Sequence, residues 1–130
     1  MIKEISLSTN KRNELIDISS EVDDIVSGVK DGVCVVYCPH TTAAVTINES
    51  ADPDVQTDII GHLNKMVPEG HGFKHAEGNS DAHIKSSLIG CSETLMIEDG
   101  KLRLGRWQAV YFAEFDGPRQ RKVVVRVMEG

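Results

Sequence analysis

A short apolar run, Val33 to Tyr37, leads into Pro39-His40-Thr41-Thr42, and a second apolar run, Ala43 to Ile47, follows at once. The polar end of that second run, Asn48 and Glu49, meets Ala51-Asp52-Pro53, which has the look of a helix start. Two polar clusters therefore bracket one strand. A strand of five or six residues spans roughly 17–20 Å, so His40 and Glu49 belong to opposite ends of it unless another segment or subunit brings matching groups to each. The rest of the chain supplies candidate partners, chiefly between His75 and Ser87.

Around that stretch the spacing of apolar residues predicts an α+β chain. Ile2, Ile5 and Leu7, then Leu15, Ile16 and Ile18, suggest two strands separated by the Thr9-Asn10 turn. Ser19 or Ser20 can cap a first helix, since a serine oxygen accepts from free N–H groups of a first turn; Val22, Ile25, Val26 and Val29 give it one buried face. Val33 to Tyr37 reads as a fully buried strand rich in β-branched residues. A second helix starts with Asp52 as N-cap and Pro53 at the first position, carries Val55, Ile59, Leu63 and Val67 on one side, and ends at Pro68. Glu69 to Asn79, with Gly70, Gly72 and Gly78, is a loop. A third helix covers Ser80 or Asp81 to Ile89 with Gly90 as its stop; His83, Ser86, Ser87 and Gly90 share one stripe of it, and Ile84, Leu88 and Ile89 supply apolar contacts. Asp99-Gly100 suits a two-residue hairpin turn between Thr94–Glu98 and Lys101–Leu104. With Trp107–Phe115 and Lys122–Met128 the chain is expected to close as an antiparallel β-meander. The expected architecture is a single compact domain, 1–130, of antiparallel β-sheets with about three helices.

Composition narrows the function classes. A chain of 130 residues can bury a core without covalent crosslinks. The net charge of −6 argues against a nucleic-acid surface, and Arg103, Arg106, Arg119, Arg121, Lys122 and Arg126 read as the solvated face of strands. No stretch of 18 apolar residues exists to span a membrane. Three cysteines without a Cys-x-x-Cys pair fit a reducing, cytoplasmic setting. Cys38 is either a nucleophile beside His40 or, as part of an apolar strand, a small hydrophobe. Phosphate-binding and nucleophile-elbow motifs are missing, so no nucleotide cofactor is expected.

Chemistry concentrates on histidines. His62 falls within the second helix pattern and His71 in a glycine-rich turn, and both read as structural or exposed. His40, His75 and His83 lie at element boundaries, each with a carboxylate near in sequence (Glu49 or Asp52, Glu77, Asp81). Three imidazoles with carboxylates can bind a divalent metal, Zn or Mg, or transfer protons near neutral pH; the spacing itself matches no metal motif. Lys85, Ser86 and Ser87 stand near a helix start that favours anions, or are exposed helical residues.

Pro39-His40-Thr41-Thr42, Ile47-Asn48-Glu49, Ala51-Asp52-Pro53, His75-Ala76-Glu77-Gly78-Asn79, Ala82-His83-Ile84-Lys85-Ser86-Ser87-Leu88, Gly105-Arg106-Trp107-Gln108 and Asp116-Gly117-Pro118-Arg119 together closely resemble the YjbQ-like family. Arg106 departs from the resemblance, the family often having Thr before Trp-Gln. The resemblance implies a compact α+β homotrimer in the cytoplasm and a weak thiamine-phosphate synthase activity, joining a pyrimidine diphosphate to a thiazole phosphate with release of pyrophosphate. A trimer would let the separated ends of one strand complete sites with a neighbouring subunit.

The preferred reading is thus a small enzyme of phosphorylated metabolites. His40, His75 and His83 would hold a metal or move protons, Glu49 and Asp52 would orient them or take part in metal binding, and Lys85 with Arg106 would face phosphate. Thr41, Thr42, Asn48, Ser86, Arg106 and Gln108 complete the expected binding set. The alternatives are a non-catalytic metal- or metabolite-binding homotrimer and a structural interaction module. Trp107-Gln108 is the one functional-looking point of the closing strands, against the plainer reading of a core Trp beside a satisfied amide.

Overall fold

A computed structural model describes all 130 residues. In chain order the elements are β1 (Ile2–Ser8), β2 (Glu14–Asp17), α1 (Ser19–Val26), β3 (Asp31–Tyr37), β4 (Ala43–Glu49), α2 (Pro53–Met66), α3 (Ser80–Ile89), β5 (Ser92–Glu98), β6 (Lys101–Leu102), β7 (Gln108–Glu114) and β8 (Gln120–Glu129). The strands form two antiparallel sheets, β1-β8-β3-β5-β6 and β2-β7-β4. Their inner faces share one core, in which Cys34, Val36, Leu95, Ile97, Val123, Val125 and Val127 of the larger sheet meet Val45, Val110 and Phe112 of the smaller, with Val22 and Val26 of α1 at one side. On the far face of the smaller sheet Ala44 and Ala113 gather with Ala82 of α3. Small side chains there allow the helix a close approach to the sheet, and the result is a compact α+β domain.

The closing strands do not form a meander. Only β5 and β6 make a hairpin, turning through Asp99 and Gly100 at φ 52° and 76° as their dipeptide requires. β7 then crosses to the smaller sheet, and β8 returns to lie between β1 and β3. The reason is visible in burial: Ala109 to Glu114 are all buried, so β7 needs cover on both faces, whereas β8 alternates and needs one. β3 departs from expectation in the opposite sense. Cys34 and Val36 are fully enclosed, but Tyr37 is 44% exposed, because the outer face of its sheet has nothing packed on it within this chain. Ile2 of β1, Met96 of β5 and Met128 of β8 are exposed on the same sheet.

Two helices also differ in detail. Ser19 does not cap α1 with its side chain; its Oγ accepts from Val110 N–H at 2.8 Å, tying the helix to β7, while Asp17 Oδ1 accepts from Ser19 N–H at 2.9 Å. On α3 the apolar Ile84 and Leu88 face outward, and the buried side is Asp81, Ala82 and Lys85. A charge pair can occupy an interior face only when its groups are mutually satisfied, and Lys85 Nζ indeed lies 3.7 Å from Asp81 and donates to Asn13 and Asn64 at 3.2 and 2.6 Å. α2 begins as its sequence dictates, Asp52 Oδ1 accepting from Asp54 N–H, yet its apolar stripe is only half covered.

Phe112 stands at the centre of the inter-sheet core, fully enclosed. Phe112→Ala should destabilise the fold by about 3–5 kcal/mol, as large-to-small changes of buried aromatic residues do, which urea unfolding would measure. A loss below about 1 kcal/mol would mean that the two sheets do not depend on this contact for their packing.

Candidate functional site

β3 ends at Tyr37, and Pro39 turns the chain away from its sheet. Lys122 of β8 therefore lies beyond the end of the β3–β8 ladder, which stops at Tyr37 opposite Val124. The His40 ring meets the backbone left there: Lys122 N–H donates to His40 Nε2 at 2.9 Å, and the Lys122 carbonyl lies 3.1 Å from the same nitrogen. In the shorter of the two contacts Nε2 accepts from the N–H, and in that arrangement the neutral ring carries its proton on Nδ1. Burial, and then the Arg121 guanidinium, push the His40 pKa below its ordinary value, against the pull of the Lys122 carbonyl.

His40 opens onto a cleft of about 440 Å³ walled by Pro39–Thr42, by His75, Glu77 and Asn79 from the glycine-rich loop, by His83 of α3, and by Asp116, Arg119 and Arg121. His75 and His83 meet edge to face, with ring centroids 5.4 Å apart. His40, Thr41 and His83 also border an adjoining hollow with Ser86, Ser87 and Cys91. Ser86 Oγ holds α3 to this wall by donating to the Thr41 carbonyl at 2.6 Å. His40, His75, His83, Thr41, Thr42 and Ser86 thus come together. His62 is exposed on α2, and His71 is exposed and packs on Phe73 at 6.0 Å.

Other expected residues lie elsewhere in the chain. Asn48, Glu49, Asp52, Arg106 and Gln108 stand at the far end of β4 and β7, where Glu49 pairs with Gln108. Asp52 is occupied as the α2 cap, and Gln108 Oε1 accepts from Gly105 N–H at 2.8 Å, closing its own turn. Trp107 is not a core residue: it is 52% exposed, with the Arg106 guanidinium 4.7 Å from the ring centroid. Lys85 is enclosed beneath α2 and α3 and faces no cleft. Burial lowers its pKa, while Asp81 opposes that shift.

The floor of the cleft is a group that sequence reasoning assigned to the solvent. Arg121 is buried, and its Nε and Nη2 donate to Glu114 Oε2 and Oε1 at 2.8 and 2.6 Å. Nη2 also reaches Thr42 Oγ1 at 2.8 Å, and Thr9 Oγ1 donates to Glu114 Oε2 at 2.9 Å. Asp116 N–H donates to Glu114 Oε1, so every lone-pair direction of that carboxylate is well used. Burial by itself would raise the Glu114 pKa, but the Arg121, Asp116 and Thr9 hydrogen bonds outweigh it and hold the carboxyl below its usual range. The available signal was Glu114 itself, one charge at the end of the apolar run Ala109–Ala113. Above this floor Asp116 receives Arg119 Nη2 at 3.0 Å, Asn79 Nδ2 at 2.9 Å and Arg12 at 3.4 Å, while Arg119 is half exposed along the cleft.

The donors do not fit the expected divalent metal. No three His, Cys, Asp or Glu side chains of the chain gather around one point, His40 Nε2 is engaged by a backbone N–H, and the cleft is lined by two guanidinium groups.

A sequence model of the family described as UPF0047 protein YjbQ-like matches residues 3–130. The chain is 54% identical over 130 residues to the UPF0047 protein MJ1081 of Methanocaldococcus jannaschii, covering 98% of this chain and 94% of that one. It is 46% identical over 131 residues to YugU of Bacillus subtilis, covering 98% and 99%. Its fold superposes with TM-score 0.94 on the crystal structure of an uncharacterized conserved YjbQ/UPF0047 protein of Clostridium acetobutylicum, at 55% identity over 97% of this chain and 99% of the other. A hypothetical protein of Aeropyrum pernix superposes with TM-score 0.95 at 34% identity, over 100% and 99%.

The cleft floor predicts two measurements. Glu114→Ala leaves Arg121 buried and unpaired and should cost about 3–5 kcal/mol, whereas replacing both residues by apolar ones should recover most of it; a single variant as stable as the parent would contradict the pairing. The pH dependence has two parts. Because the folded Glu114 pKa is depressed, its stabilisation is present above the unfolded value near ~4.3 and is lost as pH falls through the folded value. His40 is depressed as well, so the unfolded ring gains its proton first and stability declines as pH drops below about 6.5, levelling off beneath the folded pKa. In an NMR titration the His40 ring should show a midpoint below that of free histidine.

Proposed function

The chain belongs to the YjbQ-like UPF0047 family, and from the geometry of its cleft we propose that it binds a small phosphorylated molecule there and moves protons on it through His75 and His83. One observation carries this reading: apart from Pro39, the cleft that holds His40, His75, His83 and the half-exposed Arg119 is lined by polar and charged residues alone. An apolar ligand would strip these groups of water and give nothing back. A phosphate offers acceptors to the Arg119 guanidinium, the Thr41 hydroxyl and the imidazole N–H groups, and charge-assisted bonds of this kind are the strong ones. Asp116 also borders the cleft, but Arg12, Arg119 and Asn79 already occupy its oxygens.

In the enzymatic form of this proposal, the weak thiamine-phosphate synthase activity that the resemblance implies, positive charge must meet the departing diphosphate oxygens. Arg119 is the group of this chain in place for that role, and Lys85, enclosed by Asp81, Asn13 and Asn64, is not. A cytoplasmic setting is consistent with the three free cysteines. The proposal includes a homotrimer. Asn48, Glu49, Asp52, Arg106 and Gln108 can join a His40 cleft only from a second copy, and the uncovered outer sheet face, with Ile2 58%, Met96 63% and Met128 42% exposed, offers apolar area for association.

Calorimetric titration with inorganic phosphate and with pyrophosphate tests the binding step. The parent should bind at least one of them, and Arg119→Ala should weaken that binding about tenfold or more, a charged hydrogen bond being worth ~1.5–3 kcal/mol; equal affinity in the variant removes Arg119 from the site. A turnover assay with a pyrimidine diphosphate and a thiazole phosphate then separates the enzyme from the metabolite-binding form, since binding without turnover supports the latter. Light scattering addresses assembly: a stable monomer that retains anion binding would overturn the shared site.

A further inference from the structure

Cys38 follows the last residue of β3, and Cys91 precedes the first residue of β5. The two strands pair with Tyr37 opposite Ser92, so the next step along the ladder sets Cys38 opposite Cys91. The backbone keeps that register: Cys38 N–H donates to the Cys91 carbonyl at 2.7 Å. Directly opposed residues of this type have Cα atoms about 5.5 Å apart, within the range of roughly 4.4–6.8 Å that a disulfide requires. Their side chains also leave the same face of the sheet, with Cβ atoms about 4.5–5.5 Å apart. Closing to the ~3.8 Å of a disulfide needs a movement of about 1–1.7 Å, since a hydrogen-bonded pair stands toward the wider end of that range. The pair stands at the end of the ladder, where Pro39 turns one chain away and Gly90 ends α3 on the other.

The two thiols are unequal. Cys38 is sealed, its Sγ directed to the His40 carbonyl at 3.9 Å, and burial foremost pushes its pKa up; a charge on Cys91 pushes in the same direction, as expected of neighbouring sulfurs. Cys91 is exposed and lines the hollow with His40, His83 and Ser86. Cys34, on the same inner face, is wholly buried opposite Leu95, its thiol pushed to about 11 by burial, and it has no cysteine across the ladder.

We propose that Cys38 and Cys91 are a dithiol that closes to an intramolecular disulfide by exchange with a low-molecular-weight dialkyl disulfide. The Cys91 thiolate attacks one sulfur of the reagent, whose S–S bond breaks and whose other half leaves as a thiol carrying the Cys91 proton. Cys38 then attacks Cys91 Sγ in the mixed disulfide, and the second half of the reagent leaves with the Cys38 proton. The protein loses two hydrogens and the reagent becomes two thiols, so the exchange balances. Exposure makes Cys91 the entry point, and register makes Cys38 the resolving group. The crosslink forms in the wall between the core and the hollow, and it removes the Cys38 contact to the His40 carbonyl.

The test uses the whole protein, incubated without oxygen with 2-hydroxyethyl disulfide, then unfolded and alkylated. The expected product is 2 Da lighter before alkylation, takes one alkyl group, on Cys34, and gives a linked peptide containing Cys38 and Cys91. Cys38→Ala should instead keep a stable adduct on Cys91, because nothing resolves it. A parent protein that retains the reagent on Cys91 with Cys38 still alkylated, that forms dimers through Cys91, or that takes three alkyl groups overturns the proposal.

Discussion

The buried pair between Glu114 and Arg121 is the contact on which the cleft depends. β7 and β8 belong to different sheets, and these residues stand at the two ends of the turn that joins them. A guanidinium and a carboxylate withdrawn from water cost several kcal/mol each unless every donor and acceptor is answered. Here Thr9, Thr42 and the Asp116 backbone complete the set. The network therefore fixes relative positions: it binds the end of β1, the start of β4 and the β7–β8 turn to one point. Gly117 belongs to the same arrangement, since a β-carbon there would run into the Lys11 carbonyl and come within 2.7 Å of Thr9 Oγ1.

That floor also acts on the histidine beside it. Arg121 directs its hydrogen bonds downward to Glu114 and Thr42, and its charge still bears on His40, helping to keep the ring neutral. Lys122, the next residue, turns its backbone toward the same ring and sets the tautomer. An imidazole held in this way is a poor ligand for a cation through Nε2 and a good fixed donor through Nδ1. The metal expectation rested on residue types, three histidines near carboxylates, and residue types do not reveal which nitrogen is already engaged by a backbone N–H.

What was legible in the sequence was whatever local chemistry decides. Asp52-Pro53 specified the start of α2, Asp99-Gly100 the hairpin, and Gly90 the end of α3, because caps and left-handed positions are set by one or two residues. The convergence of His40, His75 and His83 on one cleft also followed from their positions at element ends. Partnering across the chain was not legible. Lys85 looked like a free helical cation until Asn13, Asn64 and Asp81 enclosed it, and Arg121 looked solvated until the crossing of β7 between the sheets placed Glu114 beneath it. The same crossing separates an alternating strand from a meander strand, and both have the same period in sequence.

The walls of the cleft differ in what holds them. His40 is fixed by a β-sheet backbone, and His83 by α3, whose inner face is locked through Asp81, Ala82 and Lys85. His75 belongs to a stretch, residues 71–78, in which every residue is exposed and Gly72 and Gly78 take positive φ. Segments with few buried contacts open at little cost, while a ladder or an enclosed ion pair opens only with much of the fold. Of the three imidazoles, His75 is thus the one with the fewest contacts to hold it. The edge-to-face contact of His75 with His83 therefore joins the least held wall of the cleft to one anchored by an enclosed ion pair, and neither wall bears on the Glu114–Arg121 floor.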